Sequence, residues 1–219
     1  MRKLALLAIG AILASVAGLA GAAALTEGVQ YTVFRPAQPT ESPGKIEVTE
    51  YFWYGCSHCY HLEPSLEKWI KTLPKDVVFR RVPAVFPGRD GGPGAWAPGA
   101  KVYYTLDAMG LVDKFHSRIF DAVHQDRQLE LISGDSSLFD WIAKQGIDAK
   151  KFAAIYNSFA VQSKLRRSME QCTAYGFDGV PALIVDGRYM VVNSANNDDT
   201  LAVADQLIDM ARKDLRAKK

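Results

Sequence analysis

Cysteine is scarce in this 219-residue chain: there are three, an odd number and too few for a multi-disulfide scaffold. Charge of one sign is missing as well, with 26 Lys and Arg against 24 Asp and Glu and no long basic run. A nucleic-acid partner, which needs clustered cations to displace counterions, is thereby excluded. There is no second Cys-x-x-Cys and no His pair to complete a tetrahedral metal set. Internal repeats are absent, and low-complexity sequence is confined to one Gly/Pro-rich stretch. What is present is 48% hydrophobic residues, enough to bury a substantial core in one domain with an insertion or in two small ones.

Met1-Arg2-Lys3 is followed by an apolar, small-residue run from Leu4 to Ala20 and then by Gly21-Ala22-Ala23-Ala24. Residues 1–24 read as a Sec-type signal peptide, cleaved near Ala24 at an Ala-x-Ala site. An uncleaved anchor is the alternative, because the run approaches the ~18 residues that span a bilayer. Cleavage would remove Arg2 and Lys3 and no acid, leaving a formally neutral mature chain. Export carries the chain into an oxidising compartment, where a cysteine pair poses a redox question as much as a metal question.

Beyond a polar, proline-bearing lead with the β-like run Tyr31–Phe34, Lys45–Tyr54 alternates as a strand, with Ile46, Val48, Glu50 and Phe52 on one face. Gly55 turns the chain into a helix from about Ser57 to Leu73, kinked by Pro64. Val77–Val82 is a second strand, and Pro83–Gly99 is a long Gly/Pro loop. From Ala100 to Tyr175 the pattern is helical, broken at Gly110, at Ser133-Gly134-Asp135 and at Gly146. Ala182–Val185 and Arg188–Val192 form a hairpin about Asp186-Gly187, and a helix from Asp198 to about Leu215 closes the chain. The order has one economical solution: an α/β domain in which a β-α-β unit and a β-β-α unit share a sheet. This is a thioredoxin-like fold with an inserted α-helical domain. The boundaries are 25–95 and 176–219 for the thioredoxin-like part and 96–175 for the insertion.

The chemistry gathers at Cys56-Ser57-His58-Cys59. Cys56 stands where a strand ends and a helix begins, so its sulfur faces free backbone N–H groups and the positive end of the helix dipole. That position favours thiolate over thiol, and His58 can add a charge or a hydrogen bond. Cys59, one turn further in, should be the less exposed, resolving thiol. A metal site built from Cys56, His58, Cys59 and His61 is the competing reading, but donors so close on one helix do not converge. Pro181, in Gly179-Val180-Pro181, is either an ordinary strand-initiating proline or a cis-proline that leaves the Val180 backbone open to a bound peptide. Glu50 shares its face with apolar residues, which would bury it and raise its pKa; a solvent-facing acid is the alternative.

Phe52-Trp53-Tyr54-Gly55-Cys56-Ser57-His58-Cys59-Tyr60, Gly179-Val180-Pro181-Ala182, the Val185–Tyr189 hairpin, Trp96-Ala97 and Tyr156-Asn157-Ser158-Phe159 together resemble the DsbA family of periplasmic disulfide oxidases. The resemblance runs from about Glu27 to the C-terminus. It implies that Cys56 attacks and is attacked, with Cys59 as its partner and His58 between them. It further implies that Pro181 is the cis-proline after Val180, and that Glu50 is the buried acid handling the proton of the inner cysteine. Implied too are substrates among newly translocated, unfolded Cys-containing polypeptides, reoxidation by a DsbB-type quinone-linked inner-membrane partner, a monomeric state, and no cofactor or metal beyond the Cys56–Cys59 disulfide. Ser57 departs from the family, which most often has proline there. Since this position tunes the thiolate, oxidising strength is the property it bears on.

The rivals are a disulfide reductase or isomerase, a metal carrier, and a chaperone that binds without turnover. An isomerase of this kind usually adds an N-terminal dimerisation domain, for which Leu25–Gly44 is too short. Cys172 lies on a helical stripe with Val161, Leu165 and Met169 and reads as a buried structural thiol. His116 and His124 have polar neighbours and read as surface residues. Trp53, Tyr54 and Tyr60 line a groove or belong to the core.

Overall fold

The computed structural model describes residues 24–194 and 196–217. The leader expected over residues 1–24 lies outside them, apart from Ala24 at its end. The elements run β1 (Tyr31–Val33), β2 (Ile46–Phe52), α1 (Ser57–Ile70) and β3 (Val77–Pro83), then α2 (Ala97–Ala108) and α3 (Val112–His124). A 3₁₀ turn (Leu129–Ile132) leads to α4 (Ser137–Lys144), α5 (Ala149–Tyr156) and α6 (Phe159–Tyr175). The chain closes with β4 (Ala182–Val185), β5 (Tyr189–Val191) and α7 (Asn197–Ala217).

The five strands form one sheet in the order β1-β5-β4-β2-β3. Parallel pairing of β2 with β3 across α1 makes the β-α-β unit, and the antiparallel β4–β5 hairpin followed by α7 makes the β-β-α unit. Helices α2–α6 occupy the chain between β3 and β4. The hairpin turn places Asp186 at φ 52° and Gly187 at φ 63°, the left-handed pair that a two-residue type I′ turn demands.

β2 is an interior strand between β4 and β3, and all seven of its residues are buried. Period-two alternation divides them between two layers. Ile46 and Val48 meet Leu62, Leu66 and Trp69 of α1 and Leu201, Leu207 and Ile208 of α7. Tyr51 meets Val82, Phe177, Ile184 and Cys172 on the other face. Phe52, at the strand's end, belongs to a third cluster made mostly by the helical block, with Tyr103, Phe115, Ile119, Phe120 and Phe152. The sheet thus delivers its chain to the active-site turn directly under that block.

Candidate active site

The turn from β2 into α1 is Trp53-Tyr54-Gly55-Cys56. It is narrow: a Cβ on Gly55 would stand 2.5 Å from the Trp53 ring, and that ring is stacked on Trp96 with centroids 4.6 Å apart and planes at 3°. Cys56 is the N-cap of α1, with extended backbone (φ −86°, ψ 115°), and its sulfur accepts the Cys59 N–H at 3.3 Å. Cysteine here fills the place where a Ser, Thr or Asp oxygen would usually accept the orphan N–H groups of a helix.

Cys56, Cys59 and Cys172 are all free thiols, so the pair stands in its dithiol form. The Cys56 pKa is lowered to about 6, foremost by a hydrogen bond from the Cys59 side chain, with the backbone N–H groups of Cys59 and His58 and the charge of His58 adding to it against burial. At pH 7 the thiolate is therefore the favoured form. Cys59 is fully buried, and burial, then its bond to Cys56 and the nearby Glu50, pushes its thiol far above the ordinary range. One helix turn therefore sets two identical side chains to opposite tendencies.

The Val180–Pro181 bond is cis, and the Val180 carbonyl stands 3.2 Å from the Cys56 sulfur, accepting its S–H when the thiol is protonated. Once ionised, that sulfur has no proton to offer the carbonyl and is held by the N–H groups of α1 instead. Asn193 Nδ2 donates to Pro181 O at 2.6 Å and ties this loop to the end of β5. Ser57 and His58 are exposed.

Glu50 is fully buried, and burial raises its pKa to about 8, against the pull of Arg81. It belongs to a cluster beneath the pair. Arg81 Nε is 3.4 Å from Glu50, and Arg81 Nη2 is 2.9 Å from Glu63 and 2.5 Å from Glu67. Glu63 is buried, yet its pKa falls below the ordinary carboxylate value: burial is overcome by His116 and then by Arg81.

The surface placement read for His116 and His124 is wrong. His116 is 3% exposed, and His124 is half-buried with Nε2–H donating to the Tyr54 carbonyl at 2.8 Å. The polar residues beside them in sequence occupy the other side of α3, whereas His116 shares a stripe with Ile119, Phe120 and Val123. The helical period carried this signal. Tyr54 is core, Trp53 is half-buried in its stack, and Tyr60 stacks on His124 at 4.8 Å. Cys172 is buried on the opposite face of the sheet from the pair, where burial raises its pKa to about 11. Among the described residues, no three or more His, Cys, Asp or Glu side chains are grouped to hold a metal ion.

A DSBA-like thioredoxin domain family model matches residues 79–204. The thiol:disulfide interchange protein DsbA of Pseudomonas syringae pv. tomato is 38% identical over 212 residues, covering 95% of each chain. That of Azotobacter vinelandii is 40% identical over 187 residues, 84% of each chain. The crystal structure of Pseudomonas aeruginosa DsbA superposes with a TM-score of 0.79 at 36% identity, covering 89% of this chain and 97% of that one.

Proposed function

The chain belongs to the DsbA family of thiol:disulfide interchange oxidoreductases, with the thioredoxin-like fold, and on that premise we propose that Cys56 and Cys59 carry the exchange in the oxidising direction. A substrate thiolate attacks the Cys56 sulfur of the disulfide. The Cys56–Cys59 bond breaks as a mixed disulfide forms, and Cys59 leaves as a thiolate. Glu50, protonated up to about pH 8 and coupled electrically to Cys59, is the proton donor within the fold for that leaving sulfur. A second substrate thiolate then attacks the substrate's own sulfur, and Cys56 departs. Two electrons pass to the pair, which ends as the dithiol, while the substrate gains a disulfide.

The single observation that carries this direction is the depressed pKa of Cys56. A sulfur comfortable as an anion is a good leaving group, and it stabilises the reduced pair relative to the disulfide. The Val180 backbone beside Cys56 is the edge on which an extended substrate segment pairs. His58 and Ser57 tune the sulfur from within the motif. In the same reading residues 1–24 direct the chain to the periplasm and are removed near Ala24. The mature protein is a monomer in which residues 96–175 form a helical domain inserted between 25–95 and 176–219. Its substrates are newly translocated polypeptides, its reoxidant is a DsbB-type quinone-linked membrane protein, and it uses no cofactor besides its own disulfide.

Thiolate absorbance of the reduced protein, followed with pH, should show a midpoint about 6 that vanishes in Cys56→Ser; a midpoint near 9 would remove the basis of the proposal. Oxidation of a reduced two-cysteine peptide should outpace reduction of insulin by glutathione, and the reverse order would mark a reductase.

A further inference from the structure

His116 reaches the cysteine pair from another element altogether. Its ring is wedged among Phe52, Tyr103 and Phe120, with centroids 5.0, 5.8 and 5.1 Å away. Nδ1 is 2.9 Å from the Tyr54 hydroxyl, and Nε2 is 3.5 Å from Glu63 Oε1, a long contact; burial lowers the His116 pKa and favours the neutral ring, so what it offers Glu63 is an N–H dipole rather than a full charge. An ionised carboxylate only accepts, so Nε2 carries the proton and Nδ1 accepts from the Tyr54 O–H. The line Tyr54 → His116 → Glu63 ← Arg81 thus ends on the guanidinium that also faces Glu50. The titratable groups around it are Glu50 of β2, Tyr54 of the turn, Glu63 and Glu67 of α1, Arg81 of β3 and Tyr103 of α2.

We propose that His116 is a positioning residue for the redox centre: it holds the Glu63 carboxylate against Arg81, so that Arg81 is shared between two acids instead of answering Glu50 alone, and so governs how readily Cys56 carries charge. The proposal rests on the exchange reaction assigned above. The signs follow from the cluster. Arg81 lowers the pKa of Glu50 and the Glu63 charge raises it. Without the His116 donor, Glu63 has less reason to stay ionised, Arg81 falls to Glu50, and Glu50 gives up its proton. A negative Glu50 close to Cys56 opposes the thiolate, and the disulfide becomes a weaker oxidant.

His116→Phe keeps a ring of similar bulk without a donor, whereas His116→Gln keeps an N–H that can reach Glu63. In the Phe variant the thiolate midpoint should rise by about half a unit, and the glutathione equilibrium should move roughly threefold toward the disulfide. His116→Gln should recover most of both. Glu63→Gln, which removes the charge at its source, should reproduce the Phe result and decides the matter if His116→Phe does not fold. Wild-type readouts in Glu63→Gln, or equal shifts in the Gln and Phe variants of His116, would overturn the proposal. A wild-type chain that does not exchange with glutathione at all would instead overturn the assigned function, and this inference with it.

Discussion

Ser57 occupies the first turn of α1 with its side chain in solvent, and the N–H groups that lower the Cys56 pKa come from His58 and Cys59. A proline at that position gives up an N–H the sulfur does not use, and its fixed φ suits the start of a helix. Ser57→Pro should therefore hold the donors of the first turn more firmly on the sulfur and make the pair more oxidising. A redox titration showing no change, or a more reducing pair, would refute this. Glu50 sets a different pH dependence. Its pKa is raised from 4.5 to about 8, so the unfolded chain surrenders the proton long before the native one does. Its contribution to stability is intact below pH 4.5 and lost progressively as pH rises to about 8. Glu50→Gln should accordingly match the wild type near pH 4 and gain on it steadily up to pH 8 in denaturant midpoints; a gain independent of pH would contradict the assignment. Burial of Glu50 was legible from the apolar residues sharing its strand face. What burial leaves it facing was not, because Arg81 and Glu63 arrive from two other elements.

Gly55 shows how tightly the β2–α1 connection is drawn. The Trp53 ring cannot retreat from an added Cβ without leaving its stack on Trp96. Gly55→Ala should cost about 1–3 kcal/mol, as overpacking of close-packed sites does, and should disturb the Cys56 titration; equilibrium denaturation and thiolate absorbance would show both. At this scale the sequence was readable wherever the signal is local. Strand alternation marks β2, the apolar stripe marks α1, and Asp186-Gly187 marks the hairpin, each within a residue or a turn of the observed bounds. The break between α5 and α6 escaped because neither glycine nor proline makes it. Asn157 ends one helix, and the Ser158 hydroxyl caps the next by accepting the Val161 N–H at 3.3 Å. A serine in a polar stretch announces a cap only weakly.

Across the whole molecule, Phe52, Tyr54 and Cys59 share one continuous cluster with Val102, Phe115, Ile119, Phe120 and Phe152. The helical block and the end of the sheet are therefore buried against each other, and neither completes its interior alone. Thermal unfolding should proceed in a single transition, with tryptophan fluorescence and far-ultraviolet circular dichroism superimposing. Two separated transitions would show that the cluster does not couple its halves. The aromatic end of β2 also limits how far this architecture can be pared down. A shortened chain that spliced Trp96 to Gly176, retaining every strand and both cysteines, would present the rings of Phe52 and Tyr54 to water as an adhesive patch beside the reactive sulfur. Such a miniature would clump before it could trade disulfides, because the extra helices are the cladding that keeps those rings dry beside the half-buried Cys56 sulfur.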